Sequence, residues 1–155
     1  MTSNSTGFPA AVVTGAASGI GRALATRLAA AGTRLVVADV DAAALADLAT
    51  ELDATGVPTD VADPYAMEEL AAAAPAARLV CLNAGIVGSA LGAPWEVDPH
   101  DWDRVFAVNV GGVVNGLRAF VPRLLASDRP GHVLITASLA GLATFAGGAT
   151  QPGSR

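Results

Sequence analysis

The sequence contains no lysine and has few ionisable side chains of any kind. All nine basic residues of the 155-residue chain are arginine, and charged residues make up only 15% of the sequence. The net charge of -5 argues against a nucleic-acid surface, because such surfaces concentrate positive charge. A hydrophobic content of 52% favours a compact fold with a buried core over a disordered chain.

The chain also has a single cysteine, Cys81, so it can form no intrachain disulfide and its thiol content gives no sign of secretion. The first eight residues carry no basic charge and no apolar segment, unlike a signal peptide. No uninterrupted apolar run approaches the roughly 18 residues of a membrane helix. We therefore predict a cytoplasmic protein with neither a membrane nor a nucleic-acid partner.

Metal-ligand patterns are absent as well. His100 and His132 are isolated in sequence, and the acidic residues between Asp98 and Asp103 lack the spacing of a calcium loop. Cys81 lies within an apolar run, which favours a buried, unreactive thiol over a nucleophile. The sequence therefore predicts no metal site.

Short apolar runs alternate with helical patterns along the chain. This alternation predicts an α/β fold with a doubly wound parallel sheet of Rossmann type. The predicted strands are 10–14, 34–38, 57–61, 78–83 and 132–137, with helices starting near 19, 41, 63 and 99 and a long apolar helix over 109–126. The predicted domain covers 9–140, between a flexible tail at 1–8 and an irregular tail at 141–155.

A glycine-rich turn, from Thr14 to Gly21, joins the first strand to the first helix. Gly15 permits a tight turn, Gly19 lets a pyrophosphate approach the backbone, and Gly21 lets the helix pack closely. The helix N-terminus then offers unpaired N–H groups to phosphates. The pattern predicts a dinucleotide site, although an ordinary strand–helix turn would use similar residues.

An acidic residue, Asp39, ends the second predicted strand 18 residues after Gly21. A carboxylate at this point can accept both ribose hydroxyls of an adenosine and would repel a 2′-phosphate. The alternative is that Asp39 caps the next helix, a role for which Asp41 is better placed. Asp39 therefore favours NAD over NADP.

Five motifs in order along the chain resemble those of the short-chain dehydrogenase/reductase family. The resemblance extends from about Phe8 to Leu142. The motifs are Thr14-Gly15-x-x-x-Gly19-Ile20-Gly21, Asp60-Val61, Asn83-Ala84-Gly85, Asn109 within a Val-Asn-Val-x-Gly segment, and Ser138 after the fifth strand. The family sheet has seven strands, of which this chain would supply about five.

The resemblance implies an oxidoreductase that transfers hydride between a nicotinamide and an alcohol or ketone substrate. By this resemblance, Asn109 would hold a proton-relay water and Ser138 would orient the substrate oxygen. A helix N-cap remains the alternative for Asn109, and a solvent-facing strand-end residue for Ser138. The cofactor residues implied are Thr14, Gly15, Ala17, Ser18, Gly19, Ile20, Gly21, Asp39, Asp60, Val61, Asn83, Ala84 and Gly85. In this family the helix at 109–126 pairs with a symmetry mate, so we expect an exposed apolar surface and self-association there.

The family's Tyr-x-x-x-Lys pair has no counterpart here. Its positions fall on Gln151, which cannot shuttle a proton, and on Arg155, whose geometry differs from that of lysine. Pro152 would also disturb a helix at this point. We therefore expect a truncated member with impaired activity, through early termination or a frame change near Gly147 rather than evolution of a pseudoenzyme. The alternatives are a non-catalytic NAD-binding module and an inactive fragment.

Overall fold

The computed structural model describes residues 7–88 and 93–142. Five parallel strands form one sheet in the order β3-β2-β1-β4-β5, which confirms the predicted Rossmann-type α/β class. The strands are β1 (Ala10–Thr14), β2 (Arg34–Asp39), β3 (Thr55–Pro58), β4 (Leu79–Leu82) and β5 (His132–Ile135). The start of the predicted N-terminal tail and the predictions on Gly147, Gln151, Pro152 and Arg155 fall outside the described residues.

The helices follow the strands as predicted, with one difference. They are α1 (Gly19–Ala30), α2 (Ala42–Glu51), α3 (Pro64–Ala73), α4 (Pro99–Phe106) and α5 (Gly112–Leu125). A π-helical turn (Ala107–Gly111) joins α4 to α5, so one continuous helix replaces the two that the sequence predicted.

Side-chain caps fix where α2 and α3 begin. The Asp41 carboxylate accepts a hydrogen bond from the Ala44 N–H (3.1 Å), and the Asp63 carboxylate accepts one from the Tyr65 N–H (2.8 Å). Each cap satisfies an N–H that the first helical turn leaves unpaired. Both predicted helix starts are therefore confirmed.

Hydrophobic clusters cover both faces of the sheet, because the central strand β1 is buried on both sides. On one face, Val12 packs in a cluster with residues of β4, α3 and α5, including Met67, Leu70 and Phe120. On the other, Ala11 and Val13 join residues of α1, α2 and β2, including Leu28, Val37, Leu45 and Leu48. Met67, Leu70 and Ala71 form the buried face of α3.

β3 lies at the edge of the sheet, as its proline predicts. The strand runs over Thr55–Pro58 and not over 57–61. Its ladder with β2 ends at Pro58, which pairs with Asp39. The residues that follow leave the sheet, and this frees Thr59 to Val61 to form a wall of the site described below.

Ile20, at the start of α1, lies at the pocket and not in the core. Its side chain is 68% exposed, whereas Gly21, Ala25 and Leu28 form the buried face of the helix. The first turn of α1 projects beyond the sheet, so Ile20 lines the pocket instead of the core.

The continuous helix from Pro99 to Leu125 is 27 residues long and contains an 18-residue window with a mean hydropathy of 1.3, enough to cross a membrane by length and composition alone. Its position in the fold gives another account of this composition. Ala119 and Phe120 are buried in the core, and Gly116 packs against Leu82 of β4. The helix therefore forms one layer of the α/β fold.

The other side of this helix is apolar and exposed. Phe106 is 56% exposed, Val110 52%, Val114 47% and Leu125 80%. The expected exposed apolar surface is therefore present, and self-association through it remains a prediction.

Candidate functional site

A pocket of about 600 Å³ opens at the carboxyl ends of the strands, where the chain order reverses between β1 and β4. Open α/β sheets bind ligands at this reversal. Most of the predicted cofactor residues meet here: Gly15, Ser18, Gly19, Ile20, Asp39, Asp60, Val61, Asn83, Ala84 and Gly85. Thr14, Ala17 and Gly21 lie behind this lining and support it.

The glycine-rich turn needs its glycines for two different reasons, space at Gly15 and Gly21 and backbone conformation at Gly19. Gly15 adopts φ +62°, and a Cβ on it would lie 2.7 Å from the Ala84 Cα. Gly19 adopts φ +51° with open space around its Cα, so its need for glycine is conformational. A Cβ on Gly21 would lie 1.9 Å from the Gly15 carbonyl oxygen. Gly21 therefore lets α1 pack against the turn that precedes it.

Asp39 links this turn to β2. Its Oδ2 accepts a hydrogen bond from the Ala17 N–H (2.9 Å), and its Oδ1 accepts one from the Asp41 N–H (3.1 Å). The half-buried side chain also lines the pocket. Because Asp41 caps α2, Asp39 does not carry that role. The Asp39 carboxylate is therefore held in a fixed position at the rim of the pocket.

A hydrogen-bond network joins the ends of β1 and β4. The buried Thr14 hydroxyl donates to the Cys81 carbonyl (3.3 Å) and accepts from the N–H groups of Asn83 (3.0 Å) and Ala84 (3.2 Å). The Asn83 amide donates in turn to the carbonyl oxygens of Thr14 (3.2 Å) and Gly15 (3.4 Å). The predicted motif residue Asn83 thus holds the glycine-rich turn in place.

The third strand of this network is β5. The Thr136 hydroxyl donates to the Asn83 Oδ1 (2.9 Å), and Thr136 also lines the pocket. This donation orients the Asn83 amide, because it leaves the Nδ2 hydrogens facing β1. The sequence analysis missed Thr136, although a polar residue at the end of a predicted buried strand could have indicated it.

Asn109 lies inside the π-helical turn, so its alternative interpretation as a helix N-cap is wrong. Its Oδ1 accepts from the Ile86 N–H (2.8 Å), and its Nδ2 donates to the Ile86 carbonyl (2.9 Å). Ile86 and the neighbouring Gly85 line the pocket, whereas Asn109 itself lies behind them. Its side chain therefore fixes the segment that follows β4.

Ser138 lies three residues beyond the end of β5 and is exposed. Its carbonyl accepts from the Gly141 N–H (3.0 Å) in a short 3-10 turn. The pocket lining reaches Thr136 but not Ser138. The structure therefore places Ser138 two residues beyond Thr136 and outside the pocket lining, and its predicted role remains a prediction.

Six residues of the lining were not predicted: Val40, Thr59, Ile86, Arg104, Val108 and Thr136. Arg104 supplies the only cation among the described residues that line the pocket. Its guanidinium pairs with the Asp101 carboxylate (2.8 Å), which is 9% exposed. The carboxylates of Asp39 and Asp60 face the same space, so the side chains alone do not make the pocket cationic.

Cys81 lies in β4 beneath the site and is fully buried. Burial raises the pKa of its thiol to about 11, because desolvation penalises the thiolate. The described residues also contain no group of three or more His, Cys, Asp or Glu side chains that could hold a metal ion. The chemistry of the site therefore depends on its backbone, amide, hydroxyl and carboxylate groups.

The fold and the pocket together define a Rossmann-type protein whose ligand site is built around a glycine-rich turn. The family model described as short chain dehydrogenase matches residues 9–152. The chain belongs to this short-chain dehydrogenase/reductase family of oxidoreductases.

Curated relatives agree with the family. The chain is 47% identical over 156 residues to 1-deoxy-11-beta-hydroxypentalenate dehydrogenase of Streptomyces avermitilis, an alignment that covers 94% of this chain and 57% of the relative. It is 42% identical to the probable oxidoreductase EphD of Mycobacterium tuberculosis, over 84% of this chain and 23% of that protein. The chain thus spans little more than half the length of the first of these relatives.

Solved structures show the same fold. A short chain dehydrogenase/reductase from Burkholderia phymatum in complex with NAD superposes with a TM-score of 0.88 at 38% identity, covering 98% of this chain and 56% of that one. A 3-ketoacyl-(acyl-carrier-protein) reductase from Brucella melitensis complexed with NADH gives 0.81 at 30% identity, covering 88% and 60%. Both neighbours bind a nicotinamide cofactor.

Proposed function

We propose that this chain binds NAD in the pocket at the carboxyl ends of its strands, as the cofactor-binding part of an oxidoreductase. The observation that carries the proposal is the Asp39 carboxylate, fixed at the pocket rim by the N–H groups of Ala17 and Asp41. Two ribose hydroxyls can donate to such a carboxylate. The α1 N-terminus beside it, at Ser18 to Ile20, offers the partial positive charge that suits a pyrophosphate.

The same carboxylate favours NAD over NADP. A 2′-phosphate would be placed against the Asp39 charge, and Val40, the next residue, offers no cation. Arg104 lies on α4 and not on β2, and its guanidinium is already paired with Asp101 of the same helix. We infer that the 2′-phosphate of NADP finds no compensating charge near Asp39.

The proton-transfer part of the reaction is poorly provided for. When bound, NAD would supply the hydride acceptor for the oxidation of a small-molecule alcohol. The protein itself must then move a proton. The only tyrosine, Tyr65, is 80% exposed on α3, and the chain has no lysine. We therefore propose that these 155 residues bind NAD and turn over alcohols poorly.

The first test concerns the ribose contact. Asp39→Ala should weaken NAD binding about 10- to 100-fold, because hydrogen bonds to a charged group contribute about 1.5–3 kcal/mol. Binding of NADP should weaken less than binding of NAD, since the substitution also removes the repulsion of the 2′-phosphate. Isothermal calorimetry with both cofactors measures the two affinities.

Asp41→Ala is the matched control, because it removes the same charge two residues away and affects the α2 cap instead of the pocket. It should leave NAD affinity within about twofold, since its cost falls on folding. Equal losses in the Asp39 and Asp41 variants would contradict the ribose assignment.

The second test concerns turnover. The purified chain, assayed with NAD and a panel of secondary alcohols by absorbance at the NADH band, should show binding without sustained turnover. A thermal melt shifted upward by NAD would distinguish this binding module from an inactive fragment. Sustained turnover would show that proton transfer needs no Tyr–Lys pair here.

A further inference from the structure

One side chain of the long helix reaches the wall of the pocket from behind. Asn115 on α5 is half-buried, and its Nδ2 donates to the carbonyl oxygens of Val61 (3.0 Å) and Ala62 (3.2 Å). One turn earlier, Gly112 packs so closely that a Cβ on it would lie 2.6 Å from the Val61 Cγ2. The helix thus contacts the loop after β3 through a hydrogen-bonding amide and a glycine.

Among the described residues, this loop makes few other hydrogen bonds to the rest of the fold, although the Val61 side chain is buried in the cluster with Met67 and Phe120. It follows the edge strand β3, which pairs only with β2 in the described sheet. The Thr59 N–H donates to the Asp39 carbonyl (2.9 Å), and the Asp60 carboxylate accepts from the Ala62 N–H (2.9 Å). The first bond anchors the loop to β2 and the second lies within it. In the part of the chain that the structure describes, the Asn115 amide is the side chain that ties the carbonyls of Val61 and Ala62 to another element.

The loop is also part of the site, because Thr59, Asp60 and Val61 line the pocket on the side of Asp39. A small shift of its backbone would move this wall against whatever occupies the pocket next to Asp39. Misplacements of about 1 Å far from a reacting centre can be costly in protein sites.

We propose that Asn115 is a positioning residue for the adenosine half of the cofactor, acting through the carbonyls of Val61 and Ala62. The inference rests on the proposed binding of NAD. Asn115 does not line the pocket, so its effect passes entirely through the loop that it holds.

Two variants test this role, because they alter the amide in different ways. Asn115→Ala removes the donor at every pH. Asn115→Asp keeps the shape but, when ionised, directs a carboxylate at two carbonyl oxygens. Protonation restores one O–H donor, so the Asp variant should recover as the pH falls and the Ala variant should not.

The experiment titrates the full chain with NAD and with ADP-ribose at pH 8 and pH 5, and compares each variant with the wild type at the same pH. This ratio removes any pH effect that the wild type and the variants share. Both variants should bind both ligands about tenfold more weakly at pH 8, a loss that corresponds to about one net hydrogen bond. At pH 5 only Asn115→Asp should recover part of this loss, because the two carbonyl oxygens and the half-buried position raise the pKa of the introduced carboxyl above the ordinary value of about 3.9.

Arg118→Ala is the control, since Arg118 is exposed on the next turn of the same helix and should leave both affinities unchanged. Wild-type affinity in both Asn115 variants at pH 8 would overturn the positioning role while leaving NAD binding intact. A loss that is the same in both variants at both pH values would also overturn it, because it would not follow the donor. A wild-type chain that binds neither ligand would overturn the proposed function and this inference together.

Discussion

Gly21→Ala is expected to abolish measurable NAD binding and to lower the free energy of unfolding by about 3 kcal/mol. The added Cβ would lie 1.9 Å from the Gly15 carbonyl oxygen and 2.6 Å from the Asn83 Nδ2. Neither neighbour can yield cheaply, because one is backbone and the other is held by the carbonyls of Thr14 and Gly15. Moving α1 away would open the turn that lines the pocket.

Helix propensity alone gives the opposite sign. Within a helix, alanine is favoured over glycine by about 1 kcal/mol, so a stabilised variant would be expected if the Cβ met no obstacle. Gly111→Ala provides this comparison in the same chain, because the atom nearest to its added Cβ is the Phe106 carbonyl oxygen at 3.7 Å.

Urea unfolding and NAD calorimetry on both glycine variants separate the two effects. Gly111→Ala should be as stable as the wild type or more so, with unchanged NAD affinity. If Gly21→Ala also unfolds at the wild-type midpoint and binds NAD, the close packing of α1 against the turn is not required.

Local patterns account for the parts of this fold that the sequence predicted. Asp41 and Asp63 each cap a helix through an N–H two or three residues away, so their roles follow from neighbouring residues alone. The buried strand β1 is likewise visible as an apolar run bounded by Pro9 and Gly15. The pocket follows from topology, since parallel strands bring their carboxyl ends to one edge.

The continuity of α4 and α5 could not be predicted, because the low helix propensity of the residues between them is offset by a contact with a distant part of the chain. The sequence predicted separate helices from near Pro99 and from Asn109, and Asn109, Gly111 and Gly112 all have low helix propensity. In the fold, the Asn109 amide satisfies the backbone of Ile86, and a π-helical turn absorbs the irregularity without ending the helix. The compensating partner lies 23 residues away, beyond any local pattern.

Thr136 and Asn115 were missed for the same reason. Thr136 bonds to Asn83 across 53 residues, and Asn115 bonds to Val61 across 54. Neither belongs to a local spacing motif, and each gains its role only when the sheet and helices assemble. The motif residues could be predicted because they are close in sequence, whereas the side chains that hold them in place are distant.

A buried cation at the end of the sheet opposite to the pocket, Arg78, also depends on tertiary structure. It precedes β4, is 6% exposed, and forms no ion pair with a carboxylate among the described residues. Its guanidinium donates to the carbonyl oxygens of Pro130 (3.1 Å), Leu124 (3.2 Å) and Arg129. Leu124 lies in the last turn of α5, where the helix dipole offers partial negative charge. Arg78 therefore joins the end of α5 and the loop before β5 to the start of β4.

Arg78→Met is expected to lower the free energy of unfolding by about 3 kcal/mol, because it leaves several carbonyl groups without their charged donor. Arg78→Lys should recover only part of this loss, since one ammonium cannot reproduce the spread of a guanidinium. Urea unfolding measures both variants against Arg34→Met, a control at the exposed start of β2. If Arg78→Met costs no more than Arg34→Met, the contacts of Arg78 with the end of α5 do not stabilise the fold. If it costs the expected amount, the far end of the sheet depends on one arginine that no local motif identifies.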